Sequence, residues 1–172
     1  IFFASQTGTA ESFANEIQRE GADHGFYVHV VDLEDIEVEN LREEGKRDED
    51  TGVSKAVFLV STYGEGEPTD NSAAFVMALK SLTGKESVFE EEEKKESDVV
   101  ADRNLEGLQY CVFGLGNRQY EHFNNMSKFF DTSLEVLGAK RLVSIGLGDD
   151  DKDLEGDFEN WKDNVLWPTL KK

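Results

Sequence analysis

Ala56-Val57-Phe58-Leu59-Val60 is an unbroken apolar run, and no other stretch constrains the fold as strongly. A half-exposed strand alternates apolar with polar residues, whereas a run without alternation needs apolar partners on both faces. Such a strand belongs inside a parallel sheet covered on two sides. Similar short runs stand at Ile1-Phe2-Phe3-Ala4, Tyr27-Val28-His29-Val30-Val31, Tyr110-Cys111-Val112-Phe113 and Arg141-Leu142-Val143-Ser144-Ile145. Between and after them come segments of helical spacing. One runs from Thr9 to His24 with Phe13 and Ile17 inward, another from Asn71 to Leu82 with Phe75 and Leu79 inward. A third carries Met126, Phe130, Leu134 and Leu137, and a last carries Leu154, Phe158, Trp161 and Val165, with Pro168 marking its approach to the end. Ile36, Val38 and Leu41 suggest a short helix or turn. This alternation predicts an α/β fold, five parallel strands with helices on both faces. Crossover handedness then gathers every strand-to-helix loop at one edge, where ligands bind at the point of strand-order reversal.

The 172 residues are read as a single domain, 1–172. An initial residue that is not Met and already lies in a buried strand suggests a domain excised from a longer chain. The polar linker Glu43 to Ser54 and the acidic insertion 84–104, with its "VFEEEEKKESD", read as solvated segments. One cysteine, Cys111, excludes an internal disulfide and fits a reducing compartment. No apolar run approaches the roughly 20 residues that span a bilayer. With 18 basic against 37 acidic residues the formal charge is −19, which disfavours nucleic acid and favours a basic protein surface as partner.

Three loops fall on the predicted ligand edge. The first, "SQTGTAES", sets hydroxyls and Gly8 before a helix N-terminus, the equipment for seating a phosphate dianion on backbone N–H groups. It lacks the lysine of a nucleotide-hydrolysing loop, and its Ser and Thr would serve equally as a helix cap. The second, "STYGEGEPTDN", puts Tyr63 just past the central strand, with Gly64 and Gly66 freeing the backbone and Thr69 or Asp70 expected to cap the next helix. The third, "GLGNRQYEHFN", holds a Gly114-Leu115-Gly116 fragment but has Gln119 where a dinucleotide fingerprint needs glycine. Tyr120 supplies a second aromatic, and His122 stands where a structural role competes with a catalytic one. A phosphate seat and two tyrosines suit a flat, phosphorylated aromatic ligand, and flavin mononucleotide (FMN) meets each requirement.

"SQTGTAE", "TYGEGEPTDN", "GLGNRQYEHFN" and "GLGDDDKDLEGDFENW" resemble, in order, the flavodoxin-like domain of the diflavin reductases, NADPH–cytochrome P-450 (haemoprotein) reductases above all. The likeness covers the chain apart from the insertion. It implies a flavodoxin-like sheet of order 2-1-3-4-5. It also implies a cofactor site with no catalytic residue and no metal. Ser5, Gln6, Thr7, Gly8, Thr9 and Ala10 would hold the FMN phosphate, and Tyr63 and Tyr120 would cover opposite ring faces. Ser61, Thr62 and Gly64 would line the ring and ribityl chain. So would the stretch Leu115, Gly116, Asn117, Arg118, Gln119, with Glu121, His122, Phe123 and Asn124 beyond Tyr120. Gly64 would be the hinge of a carbonyl that answers ring protonation, and Asp150 would lie near the cofactor. At Ser61 the pattern expects Ala, a departure that leaves the backbone role intact.

The resemblance implies further parts of a parent protein: FAD and NADPH domains feeding electrons to FMN, an anchor in the endoplasmic reticulum membrane with this segment cytoplasmic, and haem-protein acceptors such as cytochrome P-450 and cytochrome c. Asp149, Asp150 and Asp151 are read as a docking patch for their basic faces, and also as caps of the helix that follows. Calcium does not fit, since the sixth position from Asp149 is Leu154 rather than glycine. A free-standing flavodoxin carrier and a flavin-free acidic interaction module stay open beside the reductase reading.

Overall fold

The computed structural model describes residues 1–44, 53–85 and 103–172. Its strands are β1 (Phe2–Ala4), β2 (Val31–Asp32), β3 (Ser54–Ser61), β4 (Leu108–Gly116), β5 (Lys140–Arg141) and β6 (Gly146–Asp149). The helices are α1 (Thr9–Gly21), α2 (Leu41–Glu44), α3 (Ala73–Thr83), α4 (Asn125–Val136), α5 (Leu154–Trp161) and α6 (Trp167–Leu170). The sheet runs β2-β1-β3-β4-β5 with β6 also on β4, and every pairing is parallel. The expected order and two-sided cover are therefore present. Most of the predicted insertion, 86–102, and most of the predicted linker, 45–52, lie outside the described residues.

The central apolar run does what its lack of alternation requires. Ala56, Phe58 and Val60 face a core shared with Phe75, Leu79, Phe130 and Leu134 of α3 and α4. Val57 and Leu59 face the other core, with Phe13 and Ile17 of α1, Phe158 and Trp161 of α5, and Trp167. Successive strand side chains point to opposite faces, so neighbours in one run divide between two cores.

Both edges depart from the sequence reading. Of Tyr27–Val31 only the last residue is in β2, because β1 offers only Phe2 and Phe3 as partners, matched to Val31 and Asp32. Tyr27 is left exposed. The strand expected at Arg141–Ile145 is split. Tyr110 pairs with Arg141 and Phe113 with Gly146, so Cys111 and Val112 of β4 stand against four residues, Leu142 to Ile145. The extra residues bulge out, and the pairing resumes at Gly146. That shift carries the "GLGD" segment into the sheet at the ligand edge. The last helix is not uniform. A π-helical turn, Lys162–Leu166, links α5 to α6, and Pro168 sits in the first turn of α6.

Candidate functional site

The chain leaves β1, goes outward to β2 and returns on the other side as β3, so strand order reverses between β1 and β3. The first loop opens there. Gly8, with φ 94°, turns into α1 as its N-cap, and its N–H donates to Ser5 Oγ at 3.0 Å. Gly8 has no side chain to cap the first turn of α1, so its position leaves the N–H groups of Thr9 and Ala10 without a cap from the N-cap residue. Ser5 and Gln6 are engaged elsewhere. Ser5 N–H donates to Asn71 Oδ1 at 3.0 Å. Gln6 Nε2 donates to Asp70 Oδ2 at 3.0 Å, while Asp70 N–H donates back to Gln6 Oε1 at 2.9 Å. These bonds shape the loop, and its Thr7 and Thr9 line the groove.

The second loop is a tight hairpin. Tyr63 N–H donates to Glu67 O at 2.8 Å and Glu67 N–H to Tyr63 O at 2.7 Å. Gly64 and Gly66 have φ of 52° and 98°, the left-handed backbone that this turn demands and glycine accepts. The hairpin is fastened to α4. Asn125 Nδ2 donates to Gly66 O at 3.0 Å, and Met126 N–H donates to Thr62 Oγ1 at 3.1 Å. Thr62 thus caps a helix 64 residues away in sequence. The expected cap at Thr69 stands in cap position before Asp70, but its hydroxyl bonds the side chains of Asn71 and Ser72 rather than a backbone N–H.

In the third loop the glycines answer to packing. A Cβ on Gly114 or Gly116 would lie 2.6 or 2.7 Å from Asn124 Oδ1. Asn124 is fully buried, holds φ 52°, and donates Nδ2–H to Gly148 O at 3.0 Å. Its Oδ1 is buried without a hydrogen-bond partner. Gly146 and Gly148 similarly make room for the Phe113 ring.

Asp149 corrects the docking expectation. It is 3% exposed and faces inward, accepting the N–H groups of Arg118 at 3.0 Å and Asp151 at 3.1 Å and pairing with Arg118 Nε at 3.2 Å. A basic partner could not reach it, and its work is to join the third loop to the acidic turn. Only Asp150 and Asp151 are exposed, and Asp151 accepts from Gln119 Nε2. The cap of α5 is Asp153, which accepts from Gly156 N–H at 2.9 Å, rather than any of the three expected residues.

These loops enclose an open groove of about 720 Å³. Tyr63 and Tyr120, 48% and 58% exposed, both line it, so neither ring is spent on the core. Thr7, Thr9, Ser61, Leu115, Asn117 and Asp150 also line it, with Gln6, Thr62, Gly64, Gly116 and His122 to Asn124. Ser5, Gly8, Ala10, Arg118, Gln119 and Glu121 do not line the groove. Glu65, Glu67 and Leu154 join it unexpectedly. Among the described residues no Lys or Arg lines it, and Arg118 is bound to Asp149. The groove can therefore hold an anion on helix N–H groups and hydroxyls at one end and a flat ring beside two tyrosines at the other. A larger depression of about 940 Å³ opens at the opposite strand ends, beside Ile1, Tyr27, Lys55 and Gln109, and none of the three loops reaches it.

Other chemistry is poorly served. Burial pushes the Cys111 thiol up to about 12, far from a reactive thiolate. Among the described residues no cluster of His, Cys, Asp or Glu is arranged to hold a metal ion.

A family model described as Flavodoxin matches residues 1–161. The chain belongs to the flavodoxin family. This flavodoxin domain is 40% identical over 170 residues to the NADPH–cytochrome P-450 reductase of Cavia porcellus, covering 99% of the chain and 22% of that protein. The Drosophila melanogaster and Homo sapiens reductases match at 40% and 39% over the same shares. The chain thus spans about a fifth of the length of these relatives, 22%. Among solved structures, a flavodoxin of Streptococcus pneumonia TIGR4 superposes with a TM-score of 0.68 at 23% identity, over 99% of this chain and 97% of that one. A flavodoxin variant from Pseudomonas aeruginosa gives 0.70 at 20% identity over the same shares, and both attest the fold alone.

Proposed function

We propose that this flavodoxin domain binds FMN and passes electrons singly, as a segment of a reductase of the NADPH–cytochrome P-450 type. One observation carries the reading: two half-exposed tyrosines and the start of α1, whose N-cap Gly8 offers no side chain, share a groove that no described Lys or Arg lines. The residues fit the cofactor. The first turn of α1 with Thr7 and Thr9 would receive the phosphate, and Tyr63 and Tyr120 would flank the ring. When bound, FMN supplies a centre that accepts and releases electrons one at a time. The protein's part is to orient that centre and to tune it. Glu65, Glu67 and Asp150 at the groove penalise added negative charge, which makes the site a ready electron donor.

In the parent, electrons would come from NADPH through FAD and leave to a haem protein with a basic face, at the cytoplasmic side of the endoplasmic reticulum. No helix among the described residues is long and apolar enough to cross a membrane. A free-standing flavodoxin carrier would use the same groove, but the 40% identity to reductases favours the reductase segment.

Titration of the apoprotein with FMN should give a flavin absorption spectrum and quenched flavin fluorescence, and a protein that stays colourless at saturating FMN overturns the reading. Tyr63→Ala should weaken FMN about 30-fold, since loss of one ring face removes on the order of 2 kcal/mol of stacking and apolar contact. Reduction of a basic haem acceptor should slow severalfold from about 50 mM to about 500 mM salt, because screening weakens steering. A rate indifferent to salt would assign docking to apolar contact instead.

A further inference from the structure

We infer that Asn71 is the positioning residue that shapes the phosphate loop and so sets the preference of the site for a phosphorylated flavin over the same flavin without phosphate. Its half-buried amide uses its full hydrogen-bonding capacity. Oδ1 accepts from Ser5 N–H at 3.0 Å and from the Thr69 hydroxyl at 2.6 Å. Nδ2 donates to Phe3 O at 3.1 Å and to Asp32 Oδ1 at 3.0 Å. Turned over, the amide would set N–H against N–H at Ser5 and carbonyl against carbonyl at Phe3, so the orientation is dictated by its partners. One side chain thereby joins the ends of β1 and β2 to the first residue of the loop.

The consequence is directional. Ser5, once placed, accepts from Gly8 N–H and fixes the left-handed turn that aims the first N–H groups of α1. The tyrosines do not depend on this chain of contacts. Tyr63 is held by its own hairpin and by Thr62 and Gly66 contacts to α4, and Tyr120 rides on the loop fastened by Asp149. Loss of the Asn71 amide should therefore disturb the phosphate end and spare the ring end.

The inference rests on the FMN reading, and two ligands separate the two claims. Riboflavin has the same ring and ribityl chain as FMN and lacks only the phosphate. In the 172-residue chain, Asn71→Ala should raise the Kd for FMN about tenfold and leave that for riboflavin within about twofold of wild type. Thr69→Val keeps the side-chain shape, removes one of the four amide contacts, and should cut the FMN-over-riboflavin preference about threefold. If Asn71→Ala does not fold, Thr69→Val decides by the same ratio. A wild type that binds FMN tightly, with variants that lose both ligands alike or neither, overturns the role of Asn71. A wild type that binds no FMN overturns the functional reading and this inference with it.

Discussion

Lys162→Met is expected to destabilise the fold by about 3 kcal/mol, a fall of roughly 6–12 °C in Tm for a chain of this size. The Lys162 side chain is 3% exposed, and its ammonium pairs with Glu16, with Glu20 at 2.7 Å and with Glu159 at 3.2 Å. Glu20 also accepts the Trp167 indole N–H at 3.3 Å. One cation thus ties α1 to the far end of the chain. Methionine keeps the apolar stem but leaves three carboxylates facing one another. They are 26%, 35% and 51% exposed, so water relieves part of the repulsion, and the lower end of the range for a broken buried pair applies. Glu16→Gln should cost less than about 1 kcal/mol, because Lys162 keeps two anions. Added salt should restore part of the Lys162→Met loss by screening the carboxylates.

The same cluster fixes a pH window. Burial alone would raise the Glu20 carboxyl, but the hydrogen bond and charge of Lys162, with the Trp167 N–H, hold it below its usual range. Burial alone would lower Lys162, yet its bonds to Glu16, Glu20 and Glu159 push it above its usual range. A depressed carboxyl contributes stability above its unfolded value of about 4.3 and loses it as pH falls through the lower folded value. A raised ammonium contributes fully below about 10.4 and loses it as pH rises through the folded value. The gap between wild type and Lys162→Met should therefore be flat near neutrality and narrow below about pH 4. Urea midpoints across pH measure it, and a gap that widens in acid would exclude the ion cluster as its source.

Gly114→Ala should cost about 3–5 kcal/mol and abolish retention of FMN. Gly114 lies inside the sheet, between Val60 of β3 and Leu147 of β6. An added methyl would fall 2.1 Å from Ser127 Oγ, 2.6 Å from Ser127 Cβ and 2.6 Å from Asn124 Oδ1. These atoms belong to the start of α4, so relief requires the helix to lift. Lifting breaks the buried bond from Asn124 Nδ2 to Gly148 O, and it shifts the loop that presents Tyr120. Gly8→Ala is the control, because there a methyl meets nothing within 4 Å and the cost is only that of a left-handed backbone, about 1 kcal/mol. Equal urea midpoints for the two variants would mean that the α4 start yields and the clash is relieved cheaply.

Much of the site was legible because loops between sheet and helix inherit their place from the order of elements. Tyr63 and Tyr120 were read as ligand-edge aromatics, and both line the groove. The same reading misplaced Asp149, the first of three consecutive aspartates. A run of carboxylates looks solvated in sequence, and only the turn after β6 shows that Asp149 points inward to Arg118 while its neighbours face water. For Asn71 and Lys162 the sequence showed a loop motif and an i,i+3 pair with Glu159, but not the contacts that matter most. Their partners Ser5 and Glu16 stand 66 and 146 residues away, beyond any periodicity or capping pattern.

The order of apolar runs and helical stripes by itself determined a two-faced parallel sheet with its binding loops on one edge. That follows because burial periodicity is a property of neighbouring residues, which a chain carries whatever its partners are. Tertiary structure alone decided where the edge strands pair, which glycines yield to Asn124, and which polar side chains fasten the loops. Those outcomes depend on hydrogen-bonding capacity being met across long separations, and an amide or an ammonium reads the same in sequence whether its partners are water or the ends of distant strands.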